Sequence, residues 1–353
     1  MVTVANEISP LLVIEFLSRL VDMLKTYFKA VNADTIQNSV ILVYQILDEM
    51  LDNGTPHTTE PNILHELIPP PSLMGKMLAS VTGNTMQADN LPAGSLSNVP
   101  WRKSGVRYNT NEVFFDFVEE IDAIIDANGL VVSSEISGSI QCACKLSGMP
   151  DMLLTFHNPG LLDDVSLHPC VRYSKFNRDK QLSFIPPDGR FELAKYRVTG
   201  GGNANVPVSV RPSITFKGTS GDVNISITPK NLPASAKPIE DLVVSFSLPP
   251  NVSSTTLSGN CGQVVTDPVA RTARWVIGKV PKDKMPSLTG SITLSTVDPA
   301  APPTISDVSV EFTIMAYSVS GLRVNAISLV NEKYRCYKGV RPVTKAGRFT
   351  IRL

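Results

Sequence analysis

Histidine is scarce, with four in 353 residues. None of His57, His65, His157 and His168 falls in a Gly-x-Ser-x-Gly, His-Glu-x-x-His or dinucleotide-binding pattern, so the common routes to hydrolytic, zinc-peptidase and nicotinamide chemistry are absent. A charge excess is also missing. Lys plus Arg and Asp plus Glu both number 32, which removes bulk charge as an argument for nucleic acid and leaves only a local basic face open. The five cysteines are an odd set running from Cys142 to Cys336, unlike a secreted disulfide framework. Cys142 and Cys144 share a strand face without a partner at zinc-finger spacing, and read as buried free thiols of a cytosolic chain. Uninterrupted apolar runs are lacking too. Leu11 to Phe28 is broken by Glu15, Arg19, Asp22 and Lys25, and no basic segment with a small-residue cleavage site precedes it. A soluble chain is expected.

What the sequence does hold is core. The 353 residues are enough for two or three domains, and 42% hydrophobic against 18% charged residues supports a sizeable core over wholesale disorder. Residues 1–54 read as two helices. Ser9-Pro10 opens the first, and Leu11, Leu12, Ile14, Leu17, Val21, Leu24 and Phe28 recur at helical steps. Asn32 or Asp34 caps the second, Ile36, Val40, Val43, Leu47, Met50 and Leu51 form its stripe, and Gly54 is expected to end it. Residues 55–103 read as a linker rich in proline, where Pro69-Pro70-Pro71 excludes helix, with room for a short helix at 62–67.

From residue 104 the texture is β. Apolar alternating runs recur with turn signals between them, from Val113–Val118 through Val131–Ile140, Phe191–Val198 and Val206–Lys217 to Val308–Ser318. Pro187-Asp188-Gly189 reads as a hairpin turn. Gly200-Gly201-Gly202-Asn203 lacks the Gly-Lys-Ser/Thr ending of a phosphate loop and reads as a turn. About a dozen strands without intervening long helices predict a mainly β protein, an elongated two-part sandwich preceded by two helices.

One run carries an anomaly. Val113, Phe114, Phe115, Phe117 and Val118 surround Asp116, and an ionised carboxylate is costly to bury without a donor. Alternation puts Phe114, Asp116 and Val118 on one face and Phe115 and Phe117 on the other. Asp116 is therefore either solvated on an edge strand or an acceptor aimed at a ligand hydroxyl. Downstream, Glu119, Glu120, Asp122 and Asp126 read as a solvated acidic face, since they lack the dense ligand loop of a calcium site.

The order of several motifs is more specific than a fold class. After the helices come Val99-Pro100-Trp101-Arg102, Asn111-Glu112, Leu146-Ser147-Gly148-Met149-Pro150, then the run from Leu162 to Arg172, and Phe184-Ile185-Pro186-Pro187-Asp188-Gly189. Lys338-Gly339-Val340-Arg341 closes the series. In this order they resemble the medium (mu) subunits of clathrin-type adaptor complexes, with details most similar to those of the third adaptor complex. The resemblance covers essentially the whole chain.

It implies that residues 1–54 are the last two helices of a longin domain whose sheet is missing, and that 104–353 form a mu homology domain. That domain binds Tyr-x-x-Φ sorting signals, Φ being a bulky apolar residue, in the tails of membrane cargo. The implied tyrosine pocket is Phe114, Asp116 and Arg341, with Lys145 added to it from the same strand face, and the implied Φ pocket is Phe115, Val324, Ile327 and Val340. Two positions depart from the pattern. A lysine of the plasma-membrane relative falls on Ala143, with Lys145 two residues on, and a flanking tryptophan falls on Gly339, leaving one wall missing. The partners implied are cargo tails and the large and small subunits of the complex, peripheral on Golgi or endosomal membranes. No cofactor, metal or nucleic acid is implied. The rival readings are a truncated structural subunit, and a related coat subunit of Golgi retrieval vesicles.

Overall fold

The computed structural model describes residues 9–28, 30–68, 99–103, 105–162, 164–198, 206–230, 232–280, 285–297 and 303–353. Most of the expected linker, residues 69–98 with the triple proline, lies outside them, as does the Gly200 loop. The chain divides into two units. One comprises Met1–Asn109, Leu146–Pro150 and Ile185–Asp188, and the other Thr110–Lys145, Asp151–Phe184 and Gly189–Leu353.

In the first unit, α1 spans Pro10–Tyr27, with proline in the first turn, where a missing N–H leaves no bond unmade. The second expected helix is two, α2 (Ala33–Asn38) and α3 (Val40–Met50), broken at Ser39. Asn32 caps α2, its side chain accepting from Thr35 N at 2.8 Å. Gly54 does not cap a helix. The helix ends at Met50, and Asn53-Gly54, both at positive φ (49° and 82°), turn a hairpin between β1 (Leu51–Asp52) and β2 (Thr55–Pro56). The short helix anticipated at 62–67 is α4 (Pro61–Leu67). Met23, Leu24, Tyr27 and Phe28 pack with Ile46, Met50 and Leu64 in a small core. Leu11, Ile14, Leu17, Ile41 and Tyr44 stay exposed, so each stripe is only partly covered.

The same unit gathers three of the long motifs around one buried side chain. The Arg102 guanidinium donates to the carbonyls of Leu146 (2.5 Å), Gly148 (2.9 Å) and Pro186 (3.1 Å). Trp101 Nε1 donates to Ile185 O at 2.8 Å, and Tyr108 Oη to Asp188 Oδ2 at 2.8 Å. A planar fork of five donors suits this work. Much of what makes the sequence recognisable is therefore internal support.

The second unit is β. Its strands are β3 (Glu112–Ile125), β4 (Val131–Lys145), β5 (Asp151–Phe156), β6 (Asp164–Leu167), β7 (Leu182–Phe184) and β8 (Gly189–Val198). A short helix α5 (Tyr173–Asp179) lies between β6 and β7. Then follow β9 (Val208–Lys217), β10 (Ser220–Pro229), β11 (Ile239–Ser247), β12 (Val252–Gly259), β13 (Gln263–Asp267) and β14 (Thr272–Gly278). The last are β15 (Ser287–Leu294), β16 (Asp307–Met315), β17 (Val324–Val330) and β18 (Tyr337–Arg352). Among the described residues they form a nine-stranded sheet ordered β13-β14-β11-β16-β18-β3-β4-β8-β6, a four-stranded sheet β12-β15-β10-β9 and a three-stranded sheet β17-β5-β7.

The long strands serve two sandwiches. Near its start β3 packs toward the three-stranded sheet, Phe115 edge-on to Phe184 (6.4 Å) and Phe117 to Phe156 (6.2 Å). Further along, Ile121, Ala123 and Ile125 join the other core, with Val210, Ile225, Trp275, Ile292, Phe312 and Phe349. Alternating burial along β3 is what sequence alternation predicts. The turn at Pro187-Asp188-Gly189 is no hairpin, because β7 and β8 belong to different sheets. The run expected to reach Ser318 stops at Met315, where Ala316 (φ 59°) turns the chain away.

Candidate functional site

Asp116 is not on an edge. β3 lies between β4, antiparallel, and β18, parallel, and the last register sets Phe114 beside Gly339 and Asp116 beside Arg341. Two residues 225 positions apart thus become neighbours, and their side chains form a two-pronged pair: Arg341 Nε to Asp116 Oδ1 at 2.5 Å and Nη2 to Oδ2 at 2.8 Å. Hydrogen bonding to Asp116 and its attraction raise the Arg341 pKa further above its ordinary value. The Arg341 Cζ also stands 5.3 Å from the centre of the Phe114 ring. Phe114, Asp116 and Arg341 are therefore paired among themselves, with the arginine on the chain's own aromatic.

Lys145 shares this face but not this pair. It is in register with Glu112, and its Nζ bonds Glu112 Oε1 at 2.9 Å. Opposite Asp116 on β4 is Gln141, whose amide donates to Glu192 at 2.8 Å. Ala143 lies opposite Phe114. The gap expected at Gly339 is occupied by Phe114 itself, since a Cβ built there would lie 2.5 Å from Phe114 Cδ1.

On the other face, Val324, Ile327 and Val340 converge on one pocket of about 630 Å³, whose apolar lining also includes Phe117, Leu322 and Pro342. Phe115, expected in this set, is fully buried and does not line the pocket. Phe117 takes its place. Both have the same period-two parity, but Phe115 lies under Phe184 of β7. Parity alone could have nominated either residue. Lys338 ties the two walls, its Nζ donating to Ile327 O at 2.7 Å.

Between the face that carries the Asp116–Arg341 pair and the apolar pocket runs an open edge. β16 pairs with β18 only from Val343 onward, so among the described residues Tyr337–Pro342 has β3 on one side and no strand on the other. The acidic face expected downstream is also incomplete. Glu119 points inward, fully buried, and accepts from Tyr196 Oη at 2.8 Å, Ser318 Oγ at 3.1 Å and Ser320 N at 3.0 Å. It pins the loop that carries Tyr317, Ser318 and Leu322 to the pocket.

Two β-sandwiches sharing one long sheet, with an open strand edge beside an apolar pocket, make the second unit a mu homology domain. Residues 99–353 match the sequence profile described as the adaptor complexes medium subunit family, and the chain belongs to that family. It is 46% identical to the AP-3 complex subunit mu of Dictyostelium discoideum, over 98% of this chain and 83% of that protein. It is 45% identical to the AP-3 complex subunit mu-1 of Homo sapiens, over 99% of this chain and 83% of that protein. In fold it is similar to a chain of a homology model of the full-length AP-3 complex in an intermediate open conformation. That match has a TM-score of 0.65 at 18% identity, over 99% of this chain and 83% of that one. The chain is thus an adaptor-complex medium subunit of vesicle traffic. Among the described residues no helix is long and apolar enough to cross a membrane.

Proposed function

We propose that this medium subunit binds Tyr-x-x-Φ signals in cytosolic tails of membrane cargo, for transport between endosome or Golgi and the lysosome or vacuole. It does so as part of a heterotetramer with large and small subunits. The observation that carries the reading is one of parity. The face with Phe114, Asp116 and Arg341 and the pocket with Val324, Ile327 and Val340 lie on opposite sides of the sheet, at the open edge of β18. A peptide strand added to that edge sends residues an odd number apart to opposite faces. Tyrosine and Φ are three apart, so one extended segment reaches both.

The chemistry suits each side chain. The signal hydroxyl donates to Asp116 in a charge-assisted bond, while its ring lies on Phe114 beside the Arg341 guanidinium. Burying a tyrosine and a leucine contributes roughly 1.5–3 kcal/mol each. With strand pairing added and peptide ordering subtracted, affinity reaches about −8 kcal/mol, in the micromolar range. Sites this weak work when several membrane contacts act together.

The experiment is calorimetric titration of the full chain with Tyr-x-x-Leu, Tyr-x-Leu and Tyr-x-x-x-Leu peptides of matched composition. Only the first has the required parity, and it is expected to bind at least tenfold more tightly. Equal binding of all three refutes strand addition, and no binding of any leaves the chain a structural subunit.

A further inference from the structure

We propose that Tyr337 forms the outer wall of the pocket for the signal tyrosine and sets its preference for an aromatic ring. This rests on the reading of Phe114, Asp116 and Arg341 as the tyrosine site.

Tyr337, Gly339 and Arg341 alternate onto that face of β18, in register with Glu112, Phe114 and Asp116 of β3. Gly339 is a notch between two large side chains, and the Phe114 ring leans into it. A Cβ there would stand 2.5 Å from Cδ1 and 2.8 Å from Cε1 of that ring. Leaning over, the ring meets a different group on each side. Tyr337 packs against it with centroids 5.6 Å apart and planes tilted by 49°, and the Arg341 Cζ lies 5.3 Å from its centre. Phe114 is the floor, and Tyr337 and Arg341 are the two ends.

Tyr337 has an unusual position for a large aromatic. It is 64% exposed, yet its backbone is fixed, its N–H donating to Asn111 O at 2.9 Å. An aromatic held in place with its ring mostly in water is pre-ordered to cover another ring. A phenol laid on Phe114 has its hydroxyl toward Asp116, a cation at one edge and the Tyr337 ring at the other. Aromatic pairs favour tilted or offset contacts with centroids 4.5–7 Å apart, the spacing Tyr337 already makes with Phe114. The arrangement depends on Gly339. A methyl group there would drive the Phe114 ring out of the notch and away from both neighbours.

The test is a cycle between protein and peptide on the full chain. Tyr-x-x-Leu and Ala-x-x-Leu peptides are titrated into wild type, Tyr337→Ala, Tyr337→Phe, Gly339→Ala and Asp116→Ala, each checked by thermal melting. Tyr337→Ala is expected to weaken the tyrosine peptide about two- to tenfold, the worth of one aromatic pair, and to leave the alanine peptide unchanged. Tyr337→Phe keeps the ring and is expected to bind as wild type, while Gly339→Ala weakens the tyrosine peptide selectively. If Tyr337→Ala binds the tyrosine peptide as wild type does, or weakens both peptides equally, the inference is overturned. Asp116→Ala separates the two proposals. Loss of binding there with none at Tyr337→Ala removes the wall alone, whereas undiminished binding in Asp116→Ala removes the tyrosine site itself.

Discussion

Glu119 and Thr344 stand side by side on two parallel strands and hold the same loop. They are register partners of β3 and β18, both fully buried. Thr344 Oγ1 donates to Tyr317 O at 2.9 Å and accepts from Val319 N at 3.2 Å. Glu119 accepts from Ser318 Oγ, from Ser320 N and Oγ, and from Tyr196 Oη. Five backbone or side-chain groups of one loop, from Tyr317 to Ser320, are thereby fixed beneath the apolar pocket. Removing the carboxylate strands several buried donors, at about 1–3 kcal/mol each. Glu119→Ala is expected to destabilise the chain by at least ~3 kcal/mol, and Thr344→Val by about 1–2 kcal/mol. Urea melts measure both, and a wild-type midpoint for Glu119→Ala would mean that the loop is held otherwise.

The Asp116–Arg341 pair should show the opposite profile. It is solvent-facing, with side chains 33% and 57% exposed, and an ion pair so placed adds about 0–1 kcal/mol to stability. Asp116→Ala and Arg341→Ala are expected to melt within a few degrees of wild type while losing at least tenfold in affinity for Tyr-x-x-Leu. Melting curves and titrations on the same preparations separate stability from binding. A large melting shift with retained affinity would make the pair structural.

How much of this was legible in the sequence depended on range. Asp116 stood out because a carboxylate inside Val113–Val118 needs a donor, and alternation correctly separated Phe114 and Asp116 from Phe115 and Phe117. That the donor is Arg341 follows from a parallel pairing across 225 positions, for which no local pattern gives a signal. The resemblance supplied it instead. Glu119 was misplaced for a related reason. Its acidic neighbours Glu120 and Asp122 are exposed, and it is the distant donors Tyr196, Ser318 and Ser320 that stabilise an inward carboxylate. At Asn53-Gly54, one pair of residues suits both a helix end and a hairpin turn, and pairing of Leu51 with Pro56 decided for the hairpin.

The Φ pocket is tested by its walls. Val324→Ser and Ile327→Ser each remove apolar surface from a partly open pocket, so binding is expected to fall several-fold with little change in melting. Phe117 is buried as well as lining, so Phe117→Ala is expected to weaken binding and to cost about 3–5 kcal/mol of stability. Phe115→Ala is expected to do only the second. Unchanged titrations for both Val324→Ser and Ile327→Ser would move the pocket elsewhere.

Alkaline pH should weaken the fold through Cys142. Burial, with smaller contributions from Cys144, Cys170 and Asp116, holds its thiol pKa well above the ordinary value. The unfolded chain releases this proton near pH 8.5 and the folded chain keeps it. Above that pH the unfolded state binds fewer protons, so stability falls as pH rises, by up to about 1.4 kcal/mol per unit from this group. Melting at pH 7.5 and 9.5, for wild type and Cys142→Ala, measures it. The decline should be shallower in the variant, and identical declines would exclude the thiol. Alkylation of the folded chain should likewise spare Cys142, Cys144 and Cys170 and reach Cys261 and Cys336.

Phosphorylation of the signal tyrosine is expected to abolish binding, although an arginine lies in the pocket. The modification adds about −1.5 to −2 charges where the hydroxyl donated to Asp116. The donor is lost, and two anions then face each other. At ~4 Å and an effective dielectric of about 20, each unit of like charge opposes binding by roughly 4 kcal/mol before screening. Arg341 already spends Nε and Nη2 on Asp116, at 2.5 and 2.8 Å, so that carboxylate offsets much of its charge, and turning the whole fork to the phosphate would leave Asp116 bare beside it. Other cations are poorly placed. Lys145 is engaged with Glu112 at 2.9 Å, and Ala143 brings no charge to the position opposite Phe114. The opposition, roughly 6–8 kcal/mol before screening, is comparable to the whole binding free energy of a micromolar site, so matched Tyr and phospho-Tyr peptides should differ by well over tenfold on wild type. Asp116→Ala frees Arg341 and removes the repelling carboxylate, so there the difference should narrow or reverse. Equal or tighter binding of the phosphopeptide to wild type would mean that Asp116 does not face the hydroxyl, and the tyrosine site would have to lie elsewhere.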